Sequence, residues 1–284
     1  MANYAVTGAS GHLGRQVVQE LIMRGVPAGE IVGVVRTPGK AADLTDRGIH
    51  VREGDYSRPE TLTGAFADVK RLLLVSGTEV GERVAQHAAV IEAARAVGVE
   101  RVLYTSILHA NTTNNPLAPD HKATEEILRG SGISFTLLRN AWYTENYTDQ
   151  LPQYLERGEI VGAAGSGRVS GATRADYAAA AAAALIREEG GDAVYELGGA
   201  PFSFGELAAT ISQVTGRTVT YRSLSTTDYV AALQGAGLDP GTAGFIAALD
   251  ESIKRGELET DSDDLVQLAG RPTTPLDDAI RLSV

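Results

Sequence analysis

The chain has 284 residues, 43% apolar and 21% charged, with no cysteine and a formal net charge of −11. That length supplies a sizeable buried core, and the missing cysteine removes disulfides, thiolate metal sites, iron–sulfur clusters and cysteine nucleophiles. The negative charge argues against nucleic acid as a partner. The longest wholly apolar run, 178–186, is mostly alanine and far short of the roughly 20 residues a membrane helix requires. Met1-Ala2-Asn3 leads straight into a motif, without the basic-then-apolar order of a secretory leader. A cytoplasmic protein with no membrane partner is expected.

In chain order, short β-branched runs at 4–7, 31–35, 49–52, 72–76, 102–105 and 134–138 alternate with helical patterns at 13–23, 81–97 and 121–129. Each run is short and apolar enough to be buried on both faces, and the alternation predicts a doubly wound parallel α/β sheet over residues 1–150. Beyond 138 come an aromatic stretch, a small-residue run at 160–171, an alanine-rich helix at 176–186 and a strand at 194–197, expected to complete the first sheet. A helix at 204–214, a strand at 219–222, helices at 227–234 and 245–253 and a terminal stretch at 276–282 follow; residues 151–284 read as a smaller second domain. The acidic run Glu257, Glu259, Asp261, Asp263 and Asp264 reads as a solvated loop or helix start rather than a metal site.

The first strand ends at Thr7 and runs into Gly8-Ala9-Ser10-Gly11-His12-Leu13-Gly14, followed by a helix with apolar positions at Leu13, Val17, Val18 and Leu21. Glycine tolerates the tight turn, lets a pyrophosphate approach the backbone and allows close helix–strand packing, while the helix N–H groups favour a diphosphate. For His12 the backbone matters more than the ring. At the end of the second strand, where NAD-specific proteins present a carboxylate, this chain has Arg36. A guanidinium pairs with a 2′-phosphate and offers ribose hydroxyls no acceptor, so NADPH is the expected cofactor, with Lys40 a candidate second cation. Asp55-Tyr56 reads as an adenine edge or a turn. Ser76 and Gly77, at the end of the fourth strand, are expected to border the cofactor through their backbone; Tyr104, near the end of the fifth, reads as crevice or core.

None of the ten tyrosines has lysine four residues on, so the Tyr-x-x-x-Lys proton-exchanging pair of short-chain dehydrogenases is missing. After the fifth strand the chain instead carries His121 and Glu125, one helical turn apart, readable as a carboxylate orienting a neutral imidazole or as a surface contact. Residues 137–147 bring Arg139, Asn140, Trp142, Tyr143 and Thr144 to a strand's carboxyl end, an aromatic wall suited to a flat conjugated substrate or an aromatic plug between domains. Arg174 is expected near the crevice, Asp176 as a helix cap, His87 as structural, and no metal site is expected.

Gly8–Gly14, Val34-Val35-Arg36, 76–81, Tyr104-Thr105-Ser106, 137–147 and Ala172-Thr173-Arg174-Ala175-Asp176-Tyr177 together resemble the NmrA-like branch of atypical short-chain dehydrogenases/reductases. The resemblance implies a Rossmann-type domain holding NADPH, a smaller substrate domain, and His121 where other members carry lysine. It implies direct hydride transfer to a quinone without flavin; dye reduction and a non-enzymatic redox sensor are the alternatives, the latter because the branch includes catalytically silent members. Asn140, His121 and Tyr143 are the candidate catalytic residues. Arg139, Trp142, Thr144 and Arg174 are the candidate substrate contacts, in a monomer or homodimer.

Overall fold

All five residues of Ile31–Val35 and all seven of Arg101–Ile107 are buried, the signature of strands covered by helices on both faces. The computed structural model, which describes residues 3–79, 81–188 and 190–284, shows that arrangement. Met1, Ala2 and Val80, the last within the 76–81 motif, lie outside the described residues. Strands β1 (Tyr4–Thr7), β2 (Ile31–Val35), β3 (His50–Glu53), β4 (Arg71–Leu74), β5 (Arg101–Ile107) and β6 (Ser134–Asn140) alternate with helices α1 (His12–Met23), α2 (Ala42–Asp46), α3 (Leu62–Ala65), α4 (Arg83–Ala96) and α5 (Ala118–Gly130). There follow β7 (Trp142–Tyr143), α6 (Glu145–Thr148), α7 (Leu151–Arg157), β8 (Glu159–Gly162), β9 (Arg168–Val169), β10 (Gly171–Ala172), α8 (Arg174–Ile186) and β11 (Ala193–Leu197). The chain ends with β12 (Phe202–Ser203), α9 (Phe204–Thr215), β13 (Thr220–Ser223), α10 (Thr226–Gly235), α11 (Pro240–Lys254), α12 (Asp264–Ala269) and α13 (Leu276–Arg281). Among the described residues no helix is long and apolar enough to cross a membrane.

The main sheet has seven parallel strands in the order β11-β6-β5-β4-β1-β2-β3. One face packs on α1, α8 and α12 through Val17, Leu21, Ala178, Ala181 and Leu265; the other packs on α3, α4 and α5 through Leu62, Val90, Leu128, Tyr104 and Leu137. β11 completes the first sheet as expected, but α8 and α12 join that body as well, so the core does not divide by a single cut at residue 150. Thr173 and Asp176 form a capping box that starts α8, and the Asp176 carboxylate also accepts from Arg271 (2.6 Å) and Thr274. The second core gathers Tyr147, Leu151, Ile160, Phe202, Phe204, Ile211 and Ile280 from the later elements. β5 and β6 run two residues past their apolar stretches, since Ser106, Arg139 and Asn140 stay paired in the ladder. β4 stops two residues early: the Val75 and Ser76 N–H groups turn to the hydroxyls of Thr7 (3.0 Å) and Thr105 (2.8 Å).

In the second core, Asp250 on α11 is only 6% exposed, accepts the Ala163 N–H at 2.7 Å, and exerts its field on the phenols of Tyr147, Tyr154, Tyr221 and Tyr229. Burial pushes its carboxyl up to about 6, against the pull of the Ala163 N–H and with a smaller push from Glu251. A carboxyl raised on folding favours the native state while protonated, and that contribution is lost as pH rises through the folded value. Asp250→Asn keeps the acceptor without the charge, so it is expected to stabilise the protein by on the order of 2 kcal/mol at pH 8, with the gain shrinking toward pH 4.5. Urea denaturation at the two pH values measures this; a difference that does not change with pH rejects it.

Candidate active site

The connections leave β1 and β4 in opposite directions, and at that switch point a doubly wound sheet opens a crevice outside the strand ends. A cleft of about 610 Å³ occupies it. Gly8, Ser10, Gly11, His12, Leu13 and Gly14 line one wall. Gly8 adopts φ +59° and its carbonyl accepts the Gly11 N–H at 2.8 Å. A Cβ on Gly14 would lie 2.4 Å from that carbonyl oxygen, so only glycine lets α1 start this close to the loop. No side chain caps α1 at Gly11, leaving its first N–H groups directed at the cleft. Thr7 does not line the cleft: its hydroxyl donates to the Leu73 carbonyl (3.1 Å), accepts the Val75 N–H and meets the Tyr56 hydroxyl, tying the tips of β1 and β4 together.

Arg36 lines the cleft mouth beyond β2, with a side chain 72% exposed, whereas Lys40 is not part of the wall. Asp55 and Tyr56 line the cleft, and the Asp55 carboxylate accepts the Ser57 N–H (3.0 Å), the turn that is one of their two sequence readings. Ser76 and Gly77 form the floor. The Gly77 peptide is gripped at both ends, its N–H donating to His87 Nε2 (2.9 Å) and its carbonyl accepting from Arg83 Nε (2.7 Å). His87 Nδ1 lies 3.0 Å from the Thr124 hydroxyl, which donates to the Asp120 carbonyl, so the ring carries its proton on Nδ1. Burial, with the Arg83 cation next, lowers the His87 pKa to about 3, which preserves Nε2 as an acceptor. The structural reading of His87 thus becomes specific, while Arg83 and Gln86, which share its helix face and line the cleft, were not singled out in the sequence. Their trace there is a polar i, i+3, i+4 stripe opening an alanine-rich helix.

At the other end the cleft is walled by Ile107, His121, Asn140, Trp142, Tyr143 and Arg174. The His121 imidazole is oriented by Tyr104 and not by Glu125: Nδ1 lies 2.7 Å from the buried phenol, whose ring stands between those of His87 and His121. Tyr104 is core and does not line the cleft. Burial, then Arg83 and His87, lowers the His121 pKa to about 3, so the ring is neutral. The Asn140 Oδ1 atom is buried without a protein partner, in a residue that faces the cleft. The Arg174 guanidinium lies over the Tyr143 ring, 5.2 Å from its centre.

Two residues expected as substrate contacts lie elsewhere. Successive strand residues face opposite ways, so with Asn140 on the cleft side, Arg139 points toward α5, where it is bidentate to Glu125 (2.9 and 2.6 Å) and reaches Glu196 at 2.8 Å. Thr144 is buried at the start of α6, its N–H on the Ala172 carbonyl (2.9 Å), outside the wall of the cleft.

A loop that only glycine can build and an uncapped helix start are the features a dinucleotide's diphosphate requires, and the orphaned Asn140 oxygen leaves a polar group open further along the cleft, so the residues present fit such a cofactor. Comparison with known proteins bears on the same region: the family described as NAD(P)H-binding matches residues 8–188. The chain belongs to that family. It is 48% identical to quinone oxidoreductase 2 of Escherichia coli (strain K12) over 97% of this chain and 96% of that protein. The crystal structure of an Escherichia coli NADPH-dependent quinone oxidoreductase complexed with NADPH superposes with a TM-score of 0.94 at 46% identity, covering 98% of each chain. Triphenylmethane reductase of Citrobacter sp., complexed with NADP(H), gives 0.93 at 40% identity over 99% of this chain and 100% of that one. The NmrA-like resemblance stands with the NmrA-like family domain-containing oxidoreductase flvB of Aspergillus flavus, 31% identical over 98% of this chain and 94% of that protein, and the Rossmann-type sheet stands with the crystal structures.

Proposed function

We propose that this protein is an NADPH-dependent quinone reductase working by direct hydride transfer, without flavin. One observation carries the reading: a single cleft joins the glycine loop and Arg36 to an aromatic end, and the two carboxylates that line it among the described residues, Asp55 and Glu79, both lie at the Arg36 end. The near-full-length similarity to quinone oxidoreductases supports it.

When bound, NADPH supplies a hydride equivalent from its nicotinamide ring. The chain's own residues then deal with an acceptor that gains negative charge on oxygen. Trp142 and Tyr143 flank a flat ring. The Asn140 amide and the neutral His121 imidazole are hydrogen-bonding groups for the acceptor oxygen, and the Arg174 and Arg83 cations stabilise charge developing there. With its pKa near 3, His121 orients and does not act as a cationic acid, so the one proton that completes the hydroquinone after hydride transfer comes from water.

Oxidation of NADPH by purified protein with a benzoquinone panel tests the proposal; a rate equal to the uncatalysed background rejects it. Triphenylmethane dyes belong in the panel because of the Citrobacter likeness. Tight cofactor binding with no turnover on any acceptor is the result a redox sensor gives. Arg36→Ala is expected to weaken NADPH binding by about 1.5–2 kcal/mol, the loss of a charge-assisted contact, and to affect NADH much less. Equal losses for the two cofactors remove Arg36 from phosphate recognition.

A further inference from the structure

Arg36 already has an anionic partner. From the connection between β4 and α4, Glu79 reaches across the cleft mouth and places Oε1 at 3.4 Å from the Arg36 guanidinium. Its position is fixed from below: Oε2 accepts from Gln86 Nε2 at 2.7 Å, and the same amide nitrogen donates to the Ser57 hydroxyl at 2.9 Å. Gln86 is buried and both of its N–H groups are committed, so the Glu79 carboxylate, although half-exposed, is tethered to the wall.

We propose that Glu79 is a specificity-determining residue that competes with the cofactor's 2′-phosphate for Arg36 and holds the preference for NADPH over NADH below what Arg36 alone confers. The inference rests on the reading of Arg36 as the phosphate partner. A phosphate that takes the guanidinium must displace Glu79 and then lie beside a carboxylate that Gln86 keeps in place, and like charges at that range repel. A 2′-hydroxyl is instead a donor that a carboxylate accepts. Both effects lower the NADPH to NADH ratio.

Glu79→Gln removes the charge and keeps an acceptor for Gln86. Titration calorimetry with NADPH, NADH, 2′,5′-ADP and 5′-ADP on wild type, Glu79→Gln, Arg36→Ala and the double variant separates the cases. Glu79→Gln is expected to tighten NADPH and 2′,5′-ADP roughly three- to fivefold, the scale of an exposed ion pair, with NADH and 5′-ADP unchanged or weaker. The gain shrinks when Arg36 is alanine, because only the direct repulsion between phosphate and carboxylate is then left to relieve. NADPH binding that is unchanged or weaker, or an equal change for both cofactors, overturns the proposal. If Arg36→Ala is selective for NADPH while Glu79→Gln is not, only this inference fails. If Arg36→Ala weakens both cofactors equally, the phosphate reading fails and takes the inference with it.

Discussion

Replacing Arg139 by methionine is expected to destabilise the protein by roughly 3–5 kcal/mol, the cost of leaving a buried charge without its partner. The Arg139 and Glu125 side chains are 7% and 5% exposed, and the guanidinium fork meets both carboxylate oxygens. Glu125 also accepts from the Ser106 hydroxyl (2.6 Å), and Arg139 from its other side holds Glu196 and the Asn111 side chain. Three structural elements, β6, β11 and α5, therefore meet on one guanidinium, and β5 joins them through the bond from Ser106 to Glu125. Two buried charges gain less from each other than either loses alone, so Arg139→Met/Glu125→Leu is expected to recover a substantial part of the loss. Urea unfolding of the single and double variants measures the coupling. Additive losses show that the two residues stabilise independently and contradict the paired network.

What the sequence disclosed about this site follows backbone logic. Gly8, Gly11 and Gly14 were legible because a phosphate loop is specified by where side chains are forbidden, and Arg36 because the end of the second strand is a fixed topological position. Arg139 and Asn140 were not separable in the same way. Both follow an apolar strand and both are polar, and only the ladder extending to Asn140 decides that they face opposite sides. The partner of His121 was hidden for a related reason. Glu125 is its neighbour one turn along the helix, yet that carboxylate is taken by Arg139, and the imidazole turns to Tyr104, 17 residues away on the adjoining strand. The grip on Gly77 needs α4 and α5 side by side, which no local spacing encodes. The boundary at residue 150 misled because α8, rich in alanine and able to approach α1 closely, returns to the first body after an excursion into the second.

Gly14→Ala is expected to cost roughly 3 kcal/mol or more of stability, above the usual range for an added methyl because the obstruction is backbone, and to weaken NAD(P)H binding at least about tenfold. The added Cβ would stand 2.4 Å from the Gly8 carbonyl oxygen, 2.8 Å from its carbonyl carbon and 3.1 Å from the Ala9 Cα. No rotamer change relieves contacts with main chain. Either α1 shifts outward or the Gly8 turn opens, and both disturb the N–H groups that face the cleft. Helix propensity acts in the opposite direction, since alanine in a helix is favoured over glycine by about 1 kcal/mol. Gly244 lies within α11, and a methyl group added there would meet nothing within 4 Å, so this position isolates the propensity effect. Gly244→Ala is accordingly expected to stabilise by about 0.5–1 kcal/mol with cofactor affinity intact. Thermal unfolding and NADPH titration of the two variants side by side decide the matter: steric exclusion at the phosphate loop requires the substitutions to act in opposite directions, and a Gly14→Ala protein as stable and as tight-binding as Gly244→Ala would mean that the loop accommodates a methyl group and that glycine there serves some other purpose.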